Sequence, residues 1–136
     1  MNKTSRRRFI GNSGKAALAG TLIFAQNKTE NKAMQNVFIH HVYFWLKNPG
    51  NTEDEKKLAE GLRKLSAVKT IKQFHIGKPA DTNRDVIERT YAYSWLALFD
   101  NGADQASYQT DPIHLKFVED YSHLWEKVIV YDSVDV

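Results

Sequence analysis

The chain contains no cysteine. That excludes disulfides, a thiol nucleophile, thiolate metal ligation and anchoring through a lipidated cysteine. Proline is scarce, with three in 136 residues, so each one marks a particular place. Pro49 and Pro79 sit in loop-like stretches, and Pro112 stands where a helix restarts. A glycine-rich phosphate loop is missing, and Asn101-Gly102 reads as a turn before a helix. No internal repeat divides the chain. Metal-ligand spacing is missing too. His40 and His41 are neighbours on a strand and point to opposite faces. His114 and His123 lie about two and a half helical turns apart, too far for one ion. No metal and no cofactor are expected. The stretch Ala16 to Ala25 is apolar but short, against the about 20 residues a spanning helix needs.

The basic excess is local. The chain has 19 basic and 16 acidic residues. Residues 1–25 hold Lys3, Arg6, Arg7, Arg8 and Lys15 and no acid, which leaves 14 basic against 16 acidic residues beyond them. Thr4-Ser5-Arg6-Arg7-Arg8-Phe9-Ile10 has the twin-arginine export pattern, followed by the modest apolar run. Residues 1–25 therefore read as a signal peptide addressed to the twin-arginine export machinery. The expected location is periplasmic or extracellular, with no stable membrane insertion. Once the basic label is set aside, a nucleic-acid partner loses its support. Residues 26–35 are polar and read as a disordered linker. Residues 36–136 are enough for one domain.

Within that domain Val37–Lys47 is dense in β-branched and aromatic residues and predicts a strand ended by Asn48-Pro49-Gly50. Thr52 with Glu55 suggests a capping box, and Leu58, Leu62 and Leu65 form one helical face. Lys69–Gly77 and Arg89–Phe99 predict strands. Ala103–Gln109 is a short helix. Asp111 caps the next helix with Pro112 in its first turn, and His114, Phe117, Val118 and Tyr121 share a stripe. Val128–Val134 is the last strand. The order is strand, helix, strand, strand, broken helix, strand, which is the split ferredoxin-like βαββαβ arrangement of an α+β domain. In the first strand His41, Tyr43 and Trp45 alternate with His40, Val42, Phe44 and Leu46, so both faces are largely apolar. Helices can cover only one face. A second subunit is expected on the other, as a C2 homodimer.

Tyr108-Gln-Thr-Asp-Pro-Ile-His114 carries the candidate chemistry. Tyr and His six residues apart do not share a face of one straight helix, but a break at Asp111-Pro112 can turn both toward one point. A phenol can then hold an oxygen while a neutral imidazole accepts a proton. The alternative for His114 is a core histidine whose nitrogens bind Tyr108 and a backbone carbonyl. His41 has the same two readings.

Three stretches together resemble the stress-responsive dimeric A/B barrel (Dabb) family: Ile39–Lys47, Tyr108–His114 and Trp125–Asp132, within a similarity spanning residues 37–134. The resemblance implies a ferredoxin-like protomer and a homodimeric α/β barrel. A plant branch of the family closes a polyketide ring by aldol condensation. By that resemblance Tyr108 and His114 would be catalytic, with His41 and Trp125 in the pocket. The chain departs from that pattern at Asp111, where histidine is typical, at Tyr93, where a pocket histidine stands, and at the bulky Tyr43 and Trp45.

Three functions follow as expectations. The first is an exported protein that binds a small apolar or aromatic ligand between sheet and helices. Its pocket would draw on His41, Tyr43, Trp45, Tyr93, Trp95, Phe117, Trp125, Val128 and Val130, with Tyr108 and His114. The second is a cofactor-independent cyclase, lyase or isomerase, or a monooxygenase-like activity, with His114 as base and Tyr108 holding the enolate. The third is a structural dimerisation module in stress tolerance.

Overall fold

The computed structural model describes residues 30–136. The expected export segment 1–25 lies outside the described residues, as do 26–29 of the expected linker. The described remainder of that linker, 30–35, is exposed and irregular. Next to it, the Asn36 and Val37 backbone N–H groups donate to the Asp135 carboxylate.

The elements run β1 (Phe38–Leu46), α1 (Thr52–Leu65), β2 (Gln73–Gly77), β3 (Tyr93–Phe99), α2 (Gly102–Thr110), α3 (Pro112–Tyr121), a 3-10 turn at Ser122–Leu124 and β4 (Trp125–Val134). The four strands form one sheet in the order β2-β3-β1-β4, antiparallel at every pairing. This is the expected ferredoxin-like βαββαβ fold.

Register decides which residues face the helices. Val42 lies opposite Trp95 on β3 and Val130 on β4, and Phe44 opposite Tyr93 and Val128. Directly opposed residues share a face. His40, Val42, Phe44 and Leu46 therefore look toward the helices, where Leu58, Leu62 and Leu65 of α1 are fully buried against the same core. Burying each leucine contributes about 1.5–3 kcal/mol. Helices α1 and α3 approach closely at Gly61, where an added Cβ would come within 2.7 Å of the Tyr121 ring.

Local boundaries differ from expectation in three instructive places. The N-cap of α1 is Asn51, not Thr52, and its side chain accepts from the Glu53 and Asp54 N–H groups at 3.1 and 3.0 Å. Asn is at least as good a cap as Thr, and the turn through Gly50 at positive φ delivers it one residue earlier. Second, β3 begins at Tyr93 rather than Arg89. Thr90 accepts the Trp45 indole N–H at 2.8 Å and Tyr91 packs edge-on to Tyr43, so this stretch lies across the far face of the sheet. Third, β4 starts at Trp125, because pairing with β1 continues through an irregularity at Trp45/Leu46.

Candidate functional site

The break between α2 and α3 rests on one residue. The Asp111 backbone N–H closes α2 by donating to the Tyr108 carbonyl, while its carboxylate opens α3 by accepting from the Ile113 N–H at 2.8 Å. Pro112 occupies the first turn, where its missing N–H costs nothing. The resulting bend brings the Tyr108 and His114 rings to 4.6 Å between centroids.

These two side chains border a cavity of about 130 Å³ between the sheet and the helices. Its walls include Val42, Phe44, Trp95, Phe117, Trp125, Val128 and Val130, and its third polar ring is His40. Of the residues expected in the pocket, Trp95, Phe117, Trp125, Val128 and Val130 are in this lining. His41, Tyr43 and Trp45 are not. They stand on the opposite face of the sheet, one residue out of phase with Val42 and Phe44, so strand alternation alone removes them from the cavity. There the Tyr43 hydroxyl is 3.1 Å from His41 Nδ1, and Tyr43 and Trp45 share a cleft of about 290 Å³ with Tyr91, Ile129 and Tyr131. Lys127 places its ammonium 4.4 Å from the Trp45 ring centroid. Tyr93 does face the helices, but it packs at the core margin outside the cavity lining.

The β1 histidine in the cavity is His40, not the expected His41. It is 3% exposed, its Nδ1 lies 2.6 Å from an Asp132 carboxylate oxygen, and its ring meets Tyr108 edge-on at 5.6 Å. Asp132 reaches it because it sits directly opposite His40 in the β1–β4 register. The signal was present in the sequence as an acid at the end of an aliphatic strand. Only the register connects it to His40.

Burial favours the neutral forms of Tyr108 and His114. Burial pushes the Tyr108 phenol well above its ordinary range, only partly offset by the adjacent Trp95 indole. Tyr108 is therefore a proton-bearing donor at any physiological pH. Burial holds the His114 imidazole below its ordinary 6.5, opposed by the Gln109 backbone carbonyl and reinforced by His40. Three buried side-chain polar atoms lack a protein partner among the described residues. Two of them, His114 Nδ1 and Trp95 Nε1, belong to residues lining this cavity. Each has a neighbour that stops short of a complete hydrogen bond, the Tyr108 hydroxyl for the Trp95 indole and the Gln109 carbonyl for the His114 ring.

A pH dependence follows. A histidine whose folded pKa is depressed binds its proton more readily in the unfolded chain. Its contribution is fully present above about pH 6.5 and is lost as pH falls through the folded value. His41 shifts in the same direction, chiefly through burial and then through His75 and His40. Urea midpoints are expected to fall between pH 7.5 and 5.5, and less steeply for His114→Gln. Equal slopes for the variant and the parent would show that His114 is not the group responsible.

A larger, open apolar groove of about 630 Å³ runs between α1 and α3. Its charged rim is already paired internally, Lys64 with Glu60 at 2.7 Å and Lys116 with Asp120 at 2.8 Å. It holds none of the convergent polar atoms of the smaller cavity. Among the described residues, no group of three or more His, Cys, Asp or Glu could hold a metal ion, and no helix is long and apolar enough to cross a membrane.

The fold has close counterparts among solved structures. A Dabb family protein with a ferredoxin-like fold from Mesorhizobium loti is 25% identical, with a TM-score of 0.62 over 75% of this chain and 99% of its own. An Arabidopsis thaliana protein is 23% identical, with a TM-score of 0.62 over 73% of this chain and 95% of its own. A hydroxynitrile lyase from Passiflora edulis is 17% identical, with a TM-score of 0.62 over 76% of this chain and 96% of its own. No curated protein matches the sequence. The model of the stress-responsive A/B barrel domain matches residues 39–135, nearly all of the described domain, and the chain belongs to that family.

Proposed function

We propose that this protein binds a small neutral molecule in the cavity between sheet and helices, and that it does so as an exported homodimer. The observation that carries the reading is the pair of unpartnered buried atoms, His114 Nδ1 and Trp95 Nε1, in residues lining one apolar cavity. A buried polar atom without a partner costs about 1–3 kcal/mol, a cost that a ligand oxygen or amide would remove. Size narrows the class. A cavity of about 150 Å³ accepts benzene, and this one is about 130 Å³. One ring or a short acyl chain with a single carbonyl or hydroxyl oxygen matches it. Export rests on the Thr4–Ile10 pattern. The homodimer rests on the aromatic outer face of the sheet and on neighbours from Bacteroides fragilis and Thermobifida fusca described as dimeric.

Binding is tested by NMR on the full chain with phenol and cyclohexanone as probes. The His114 and Trp95 side-chain signals should shift, and Val130→Trp, which fills the cavity from the sheet edge, should weaken binding at least about tenfold, or about 1.4 kcal/mol. No shift at millimolar probe would refute the reading and leave the Tyr108–His114 pair as core structure. A second reading, acid–base chemistry on the bound molecule, is favoured by the carboxylate–imidazole contact between Asp132 and His40. That a hydroxynitrile lyase is built on this fold shows that the scaffold can house an enzyme.

A further inference from the structure

We infer that the proton-accepting group of this cavity is His40, with Asp132 as its positioning residue, and that the molecule it acts on is a carbon acid: a neutral ketone with a removable proton beside its carbonyl. The inference rests on the proposed binding site and gives that site a reaction.

The two candidate bases differ in what stands behind them. His40 Nδ1 is 2.6 Å from an Asp132 oxygen, across two strands and 92 positions of sequence. A carboxylate at that distance accepts the Nδ1–H, which fixes the tautomer and leaves the lone pair on Nε2. The Asp132 contact engages Nδ1 alone, and the ring borders the cavity. Protonating Nε2 would create an imidazolium already facing a negative charge. His114 lacks this arrangement. Its Nδ1 has no partner, and its burial opposes protonation. It fits better as a neutral contact to the ligand. The groups facing His40 are Asp132 from β4, Tyr108 from α2 and His114 from α3, so only one of the three is an anion.

The neutral groups supply the other half of the step. Tyr108 keeps its proton and can donate it in a hydrogen bond to an oxygen that is gaining charge. In the step itself the C–H bond beside the carbonyl breaks and its proton passes to His40 Nε2. The electron pair forms the carbon–carbon double bond of an enolate, and the carbonyl π pair moves to the oxygen that Tyr108 holds. Return of a proton from His40 to carbon completes the cycle. No oxidant, reductant or cofactor is needed.

The test uses the full chain and cyclohexanone in D₂O, with deuterium incorporation beside the carbonyl followed by proton NMR and binding measured on the same samples. Exchange above buffer is expected in the parent. It should fall about 10²-fold in His40→Gln and at least about tenfold in Asp132→Asn, with binding held within twofold. His114→Gln, which removes a ligand contact, should weaken binding, but at saturating ketone it should lower exchange far less than His40→Gln does. As a readout that a purely structural role would not move, ¹⁵N signals should show the His40 proton on Nδ1 in the parent and a changed tautomer in Asp132→Asn. Binding without exchange overturns the reaction and spares the binding site, whereas absence of binding overturns both. Exchange that survives His40→Gln but is lost in His114→Gln would move the base to His114 and refute the assignment, as would an unchanged tautomer and rate in Asp132→Asn.

Discussion

Leu62→Ala is expected to lower stability by about 3 kcal/mol, and the melting temperature by roughly 10–20 °C, for a domain of this size. Leu62 is completely buried, on the face of α1 that covers Val42, Phe44 and Leu46. The loss has two parts: the transfer energy of the removed carbons, and the void that the neighbours cannot close. Closure is hard here because the helix is pinned. Gly61 beside it already lies against the Tyr121 ring of α3, so α1 has little room to shift sideways into the void. Leu115→Ala is the control. Leu115 is 57% exposed on α3, and its loss should stay within about 0.5 kcal/mol. Thermal unfolding of both variants decides the matter, since similar melting temperatures would mean that α1 does not organise this core.

The contrast between those leucines was legible in the sequence, because Leu58, Leu62 and Leu65 repeat at helical spacing within one segment. The meeting of Tyr108 with His114 was legible for a similar reason. Asp111 and Pro112 act on their own backbone, so the bend is a local property. The fold followed from the order of such segments. What could not be read locally was parity. His40 and His41 are adjacent on a strand whose two faces are both apolar, and nothing within the strand says which face the helices choose. That choice is made by α1 and α3, which pack on Val42 and Phe44, and it assigns His40 to the cavity and His41 to the far side. The partnership of His40 with Asp132 is equally non-local, since it depends on the register of β1 with β4. The start of β3 at Tyr93 is set non-locally for a related reason. Arg89–Ala92 has strand-like composition, but Trp45 and Tyr43 offer Thr90 and Tyr91 better partners across the sheet than a ladder would.

The far side of the sheet yields the other large effect. Tyr131→Glu is expected to convert a dimer at micromolar concentration into a folded monomer, with the dissociation constant raised on the order of a thousandfold. Tyr131 lies on the outer face beside Tyr43, and it is 62% exposed in the protomer. A carboxylate at that position would cost the isolated protomer little, because water still reaches it. A second sheet laid over the face would change this sharply. The carboxylate would lose its hydration, and a twofold interface carries the substitution twice, once from each subunit. Burying an uncompensated charge costs about 3–5 kcal/mol, so a single copy accounts for the thousandfold figure and the second copy makes that figure a lower bound. Rescue by a neighbouring cation would require rearrangement. Lys127 is engaged over Trp45, and burial holds His41 toward its neutral form. Light scattering gives the mass, and circular dichroism shows whether the variant is still folded. A parent protein that is already monomeric would refute the homodimer. A variant that remains dimeric would place the interface on another surface, and the aromatic outer face would then need a different occupant.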